Sequence, residues 1–198
     1  MTLITILGNG RVGGTLAGAL AAAGHEVTVA DRSPGAAAEG VRAAQIVINA
    51  TPGDGSLERL VALRPQLQGK ILVDVANATL DGPDGLPAEL LYSGSSLAEQ
   101  LQRALPATRV VKTLNTMLYP VMTAPGALTR PPTAFLSGQD PEAKRVVRGL
   151  LADLGWHHEW IVDLGAIGSA RAVEAAILLV PHVIRSGGFA PFAISITR

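Results

Sequence analysis

The segment Gly8-Asn9-Gly10-Arg11-Val12-Gly13 places three glycines at the spacing G-x-G-x-x-G. Each glycine answers a different steric demand where a strand turns into a helix. The first permits the tight turn, the second lets the backbone approach a pyrophosphate, and the third lets the helix pack closely on the strand. Unpaired N–H groups at the start of such a helix then point at the phosphates. Asp31 stands eighteen residues beyond Gly13, where an acidic side chain meets an adenosine ribose, and Arg32 and Ser33 follow it. A carboxylate there favours a free 2′-hydroxyl, whereas a guanidinium beside a hydroxyl suits a 2′-phosphate. The spacing predicts a dinucleotide site, with NADP(H) favoured over NAD(H) provided that Asp31 points away from the phosphate or orients Arg32.

Three more polar groups follow apolar, β-branched runs: Ala50-Thr51-Pro52, Asp74-Val75-Ala76-Asn77 and Lys112-Thr113-Leu114-Asn115-Thr116-Met117. Ligands of open parallel sheets bind outside the carboxyl ends of the strands. Thr51, Pro52, Asn77, Asn115, Thr116 and Met117 are therefore expected to line the ribose and nicotinamide half of the site. A polar Asn115-Thr116 pair beside an apolar Met117 suits the face of a flat redox ring. Plainer readings stand beside these: Thr51-Pro52 as a strand exit, Asn77 bonding its own turn, and Asn115-Thr116 as a capped turn.

The chain has no cysteine, no His-x-x-x-His pair and no serine in a nucleophile-elbow pattern. Thiolate and cysteine-metal chemistry are excluded, and hydrolase chemistry has no visible constellation. His25 falls in a helix-to-strand turn, His157 and His158 on a strand where neighbours face opposite ways, and His182 reads as a core or interface residue. Neither a metal site nor a catalytic acid or base is expected. Hydride transfer between two rings needs proximity, orientation and exclusion of water more than a titrating side chain. Reduction of a small organic metabolite would need a proton donor, for which His182, Lys112 and Tyr119 are the candidates. A non-catalytic NADP(H)-binding redox-sensor module is the alternative outside enzymology.

Positioning these residues requires strands and helices in alternation. Apolar runs predict strands over 1–7, 27–30, 45–50, 70–75, 109–113, 134–137 and 158–162, and helical spacing predicts helices over 11–23, 56–67, 96–104, 140–154 and 166–180. Ser96 with Glu99 forms a capping-box pattern, Asp140 precedes a first-turn Pro141, and Gly24 suits a left-handed helix end. The implied fold is α/β, a Rossmann-type doubly wound, mainly parallel sheet with a C-terminal apolar helix. Residues 1–198 read as a single dinucleotide-binding domain, with 166–198 closing a second site or a dimer interface. The Phe189–Phe192 pair would form part of that closure.

Sixteen Lys and Arg balance sixteen Asp and Glu in 198 residues, of which 48% are apolar and 16% charged. Without a basic cluster nothing is present to neutralise a nucleic-acid backbone. Glu174 interrupts the longest apolar run, so no membrane span is expected and a soluble, cytoplasmic protein is. The helix over 166–180 carries only Arg171 and Glu174 as charges and is apolar on more than one face, which favours a homodimer.

The stretches GNGRVGGTLAGALAAAGHEVTVADRSP, DVANATL, RVVKTLNTM and DLGAIGSARAVEA together resemble the NADPH-dependent oxidoreductases of the coenzyme F420 (deazaflavin) reductase family. The soluble reductase domains of the eukaryotic metalloreductases share the pattern. The likeness spans roughly Leu3 to Leu179, and V-V-K-x-x-N-T at Val110–Thr116 is its more distinctive part. It implies that Gly8–Gly13 hold pyrophosphate and that Arg32 and Ser33 hold the 2′-phosphate. It further implies that nicotinamide meets deazaflavin, or a flavin as co-substrate, near Asn77 and Asn115–Met117. Asp31-Arg32-Ser33 and Asn77-Ala78 depart from the family's usual small-residue-Ser-Arg and Asn-Pro patterns.

Overall fold

A computed structural model describes residues 1–30 and 34–197. The strands are β1 (Leu3–Leu7), β2 (Glu26–Ala30), β3 (Ile46–Asn49), β4 (Ile71–Asp74), β5 (Thr79–Asp81), β6 (Pro87–Leu90), β7 (Arg109–Lys112), β8 (Ala134–Gly138) and β9 (Ile161–Asp163). The helices are α1 (Arg11–Ala22), α2 (Pro34–Ala43), α3 (Ser56–Ala62), α4 (Arg64–Leu67), α5 (Leu97–Ala104), α6 (Tyr119–Thr123), α7 (Pro141–Asp153), α8 (Ala170–Ala175) and α9 (Val180–Gly187). Seven strands form one sheet in the order β2-β1-β3-β4-β7-β8-β9, while β5 and β6 pair as a separate antiparallel hairpin. Pairing is parallel from β2 through β7, turns antiparallel between β7 and β8, and is parallel again between β8 and β9.

Helices cover both faces of the sheet, which is why its central strands are apolar at nearly every position rather than at alternate ones. On one face Ile6, Ile48, Val73 and Val111 pack with Leu16 and Leu20 of α1, Val147 and Leu150 of α7, and Trp156, whose indole N–H donates to the Met122 carbonyl at 3.0 Å. On the other, Leu7, Val47, Leu72 and Val110 pack with Val41, Leu60, Leu67, Leu101 and Ala170. Local signals set the helix boundaries. The Ser96 hydroxyl accepts from the Glu99 N–H at 3.1 Å and donates to its carboxylate at 2.9 Å, and Asp140 accepts from the Ala143 N–H at 2.7 Å. Gly24, at φ 89°, ends the turn after α1.

Several elements differ from the sequence expectation. The expected helix over 56–67 is two short pieces that break at Leu63, just before Pro65. His158–Trp160 is a 3-10 turn ahead of β9, so His157 and His158 are not strand neighbours; His157 stacks on Trp160 with ring centroids 4.3 Å apart. The C-terminal helix, whose Pro181 is expected to kink or end it, runs on past that residue. A tighter 3-10 turn at Ala176–Leu179 accommodates the missing proline N–H, and the helical run continues from Ile167 to Gly187. That run, 21 residues with mean hydropathy 1.5, is long and apolar enough to cross a membrane by length and composition, despite Glu174. His182 is exposed on it rather than in the core.

A close backbone approach occurs where the start of α1 crosses the turn after β1. A Cβ on Gly13 would lie 1.9 Å from the Gly8 carbonyl oxygen, so strand and helix can meet only because this position has no side chain. Gly13→Ala is expected to destabilise the protein by about 1–3 kcal/mol through forced displacement of α1, measured as a lowered midpoint in denaturant; an unchanged midpoint would show that the crossing tolerates the methyl group.

Candidate dinucleotide site

In parallel strands paired in register, the last residues stand side by side at one edge. Here Leu7 is level with Ala30 and Asn49, Asn49 with Asp74, and Asp74 with Lys112. Strand order reverses beside β1, whose neighbours β2 and β3 are reached in opposite directions, and a crevice opens at such a switch point. The Gly8–Gly13 turn lies at its mouth. Gly8 adopts φ 109°, and a Cβ on it would lie 2.5 Å from the Ala50 carbonyl oxygen. Gly10 behaves differently: its backbone is extended at φ −85° and ψ −171°, and a Cβ there would meet nothing within 4 Å. Gly10 begins α1 without a side-chain cap, so no side chain competes for the helix's first N–H groups. An empty approach over Gly10 and uncapped N–H groups behind it fit a pyrophosphate.

Of the other residues in the motif, Asn9 and Arg11 are exposed, and Arg11 places its guanidinium 5.6 Å from the centre of the Tyr119 ring. Val12 packs against the core. Asp31, Arg32 and Ser33 lie outside the described residues. The Thr51 hydroxyl donates to Asn49 Oδ1 at 2.7 Å, and the Pro52 carbonyl accepts from the Arg59 guanidinium.

The sheet edge carries a buried polar row whose members the sequence reading did not connect. Asn49 donates to Asp74 Oδ1 and to the Ser56 hydroxyl, each at 2.8 Å. Asp74 Oδ2 lies 2.9 Å from Lys112 Nζ, which also lies 3.0 Å from Glu174 Oε1 and donates to the Ala76 carbonyl. The Glu174 carboxylate accepts from the Leu97 and Ala98 N–H groups at the start of α5, at 2.8 and 3.1 Å. Asn49, Asp74 and Lys112 are wholly buried and Glu174 is 4% exposed. Burial works against the Lys112 charge, but attraction to Asp74 and Glu174 and the hydrogen bonds to them outweigh it and hold the ammonium above the ordinary lysine range. The sequence signal was a polar residue closing each of three otherwise apolar strands. Lys112 is thereby unsuited as a proton donor to substrate: three acceptors hold its protons, and it is shut from solvent.

Beyond β4 and β7 two loops are stitched together. The Asn77 amide donates to the Asn115 carbonyl at 3.0 Å, and the Asn115 amide donates to Asn77 Oδ1 at 2.9 Å and to the Val173 carbonyl at 3.0 Å. Leu114, just before, adopts φ 58°, a conformation that costs a non-glycine residue about 1 kcal/mol or more. Asn115 Oδ1 and Thr116 Oγ1 are buried without a hydrogen-bond partner among the described residues. The tail crosses this loop: the Leu118 N–H donates to the Phe192 carbonyl and the Ile194 N–H to that of Thr116, around a bridge of Met117 with Ala193. Phe192 is half-buried there, whereas Phe189 is 67% exposed. The structure thus brings Asn77, Asn115, Thr116 and Met117 together beyond β4 and β7, on the same sheet edge as Gly8–Gly13 beyond β1. Among the described residues no cluster of metal-ligating side chains occurs.

The family model for ketopantoate reductase PanE/ApbA matches residues 4–75. Among solved structures, a putative F420-dependent NADP-reductase from Arthrobacter sp. FB24 is 38% identical, with 100% of both chains covered and a TM-score of 0.91. A hypothetical protein from Sinorhizobium meliloti is 29% identical over 85% of this chain and 88% of its own, with a TM-score of 0.64. A reductive aminase from Aspergillus terreus, in complex with NADPH and ethyl levulinate, is 22% identical over 94% of this chain and 63% of its own (TM-score 0.62), a likeness of fold. No curated protein matches the chain.

Two outcomes follow from this geometry. Gly10→Val is expected to melt as the wild type does yet to lose NADPH and NADH binding in calorimetry, because the side chain fills only the approach to the turn; retained binding would remove the pyrophosphate from that place. Lys112→Met strands two buried carboxylates and is expected to cost about 3–5 kcal/mol at neutral pH, measured by denaturant unfolding. Since the folded pKa of Lys112 is raised, its contribution is complete below the ordinary lysine value of about 10.4 and fades only as pH climbs through the higher folded value.

Proposed function

This chain belongs to the F420-dependent NADP-reductase family of NAD(P)-dependent oxidoreductases, and on that premise we propose that it passes a hydride between the nicotinamide of NADP(H) and a deazaflavin, coenzyme F420, or a similar ring such as a flavin. The observation that carries the reading is the pairing, on one sheet edge, of an open phosphate approach over Gly10 with the Asn77–Asn115 corner beyond β4 and β7. When bound, the nicotinamide supplies the hydride and the second ring accepts it, or the reverse. The protein's part is to hold and shield. Gly8–Gly13 and the first N–H groups of α1 take the pyrophosphate, and Thr51 and Pro52 flank the adjoining ribose. Asn77, Asn115, Thr116 and Met117 set the nicotinamide end, and the tail that lies on Met117 keeps water from it.

Hydride transfer itself moves no proton, and the one proton that the reduced deazaflavin or flavin takes up is drawn from solvent in this reading, so no side-chain donor is required. Lys112 is sealed in its ion pairs, Tyr119 lies beneath Arg11, and His182 sits on a groove of about 580 Å³ between the β5–β6 hairpin and α9. The burial of Lys112 removes it as a donor for reduction of a metabolite that needs a donated proton.

Asp31, Arg32 and Ser33 set cofactor choice in this reading, with Arg32 and Ser33 on the 2′-phosphate. The reading also includes a homodimer formed through the C-terminal helical run, where Leu179 and Val183 are exposed, and a soluble, cytoplasmic protein in which Glu174 ties that run to the sheet. Arg32→Ala is expected to weaken NADPH binding by about 1–3 kcal/mol, the range for hydrogen bonds to a charged group, and to leave NADH nearly unchanged in calorimetry. Equal losses would overturn the 2′-phosphate assignment. Mixing the wild type with NADPH and the oxidised deazaflavin is expected to bleach the deazaflavin absorbance; no transfer to any ring acceptor would overturn the enzymatic proposal.

A further inference from the structure

Asn77 is half-buried, whereas Asn115, to which it is paired, is 4% exposed. A primary amide offers two N–H donors and two acceptor lone pairs. Asn77 spends one of each on Asn115: its amide donates to the Asn115 carbonyl at 3.0 Å, and its oxygen accepts from the Asn115 amide at 2.9 Å. One N–H and one lone pair remain on a side chain whose orientation is already decided. A donor and an acceptor on one planar group match another primary amide, and the carboxamide of nicotinamide is such a group.

What holds that orientation lies deeper. Asn115 cannot rotate without giving up the Val173 carbonyl, to which it donates at 3.0 Å. Val173 is fixed by its neighbour Glu174, whose carboxylate joins α8 to Lys112 at the end of β7 and to the Leu97 and Ala98 N–H groups of α5. Lys112 is only three residues from Asn115, so Glu174 grips the same loop at its base while Val173 grips it at its tip. Between the two grips sits Leu114 at φ 58°, a strained conformation that persists where the surroundings over-determine it.

We propose that Glu174 is a positioning residue for cofactor recognition, which acts through the Val173 carbonyl and Asn115 to aim Asn77 at the carboxamide of nicotinamide. The inference rests on the dinucleotide reading of the Gly8–Gly13 turn. It is separable from that reading because it concerns discrimination at one end of the cofactor and not binding as such.

The test compares NADPH with its 3-acetylpyridine analogue, in which a methyl group replaces the carboxamide NH2, each titrated calorimetrically. Wild type is expected to bind NADPH roughly tenfold more tightly than the analogue, the order of one amide hydrogen bond and its unmet partner. Asn77→Ala is expected to abolish that preference. Glu174→Gln keeps the shape of the side chain while it removes the charge that Lys112 and α5 share, and is expected to bring the ratio within about twofold. A general loosening of the fold would weaken both ligands and leave the ratio alone. Should Glu174→Gln fail to fold, Asn115→Ala cuts the same route beyond the ion pairs and is expected to lose the preference equally. A wild-type ratio in folded Glu174→Gln, or in Asn115→Ala, overturns the positioning role. Tight NADPH binding by wild type with no preference over the analogue overturns the carboxamide assignment and spares the dinucleotide site. Absence of any NADPH or NADH binding overturns both.

Discussion

Lys112 sits between Asp74 and Glu174 with no exposed surface, and the arrangement of the carboxyl edge follows from that single placement. A buried ammonium is tolerable only when its charge is matched and its hydrogens are placed. Two carboxylates and the Ala76 carbonyl do this, and the surplus negative charge is in turn met by the Leu97 and Ala98 N–H groups at the positive end of α5. Asn49 and Ser56 extend the row to β3 and α3. Removal of any charged member would leave its partner buried and uncompensated, so α3, α5 and α8 are locked to three neighbouring strands in one register. The loops beyond those strands are therefore held at fixed positions along the edge.

The edge divides its work between backbone and side chains. At β1 the proposed phosphate site works by the absence of side chains: Gly13 lets helix and strand touch, and Gly10 leaves room above the first turn of α1. At β4 and β7 the proposed recognition would use side chains instead, and Asn77 and Asn115 are tied to each other and to α8. The parallel sheet puts both kinds of site on one line because its strands all end at the same edge. The C-terminal chain then serves both purposes. Its helical run brings Glu174 to Lys112, and its tail returns to pair with Met117.

Much of this was legible in the residues, for reasons that differ by element. β1, β3, β4 and β7 stand out as short apolar, β-branched runs, because strands covered on both faces cannot afford polar positions inside. α1, α5 and α7 carry their own boundary signals in Gly24, Ser96 with Glu99, and Asp140 with Pro141. The hairpin of β5 and β6 was not foreseen, because its short strands bury too little to show a pattern. Nor was α6, five residues that include Pro120 and Val121 and owe their form to packing beside α1. The helix beyond Pro181 continues because a 3-10 turn absorbs the missing N–H, an adjustment that propensity alone does not reveal.

The alternation of the main sheet strands with α1, α5 and α7, the glycine turn, the list of residues closing each strand and the apolar character of the C-terminal helix were determined by the sequence on its own, since each depends on residue type and on spacing within a short segment. The partners of those residues were decided only by the tertiary structure. Asp74 and Lys112 are 38 residues apart and Glu174 lies 62 beyond Lys112; no local pattern states that the three share one buried charge cluster. Lys112 in isolation has the chemistry of a proton donor, and it becomes a structural cation only once two distant carboxylates close around it. The identity of a strand's last residue is local information, but whether that residue faces a ligand or braces the edge depends on which other strands end beside it, and sheet register sets that.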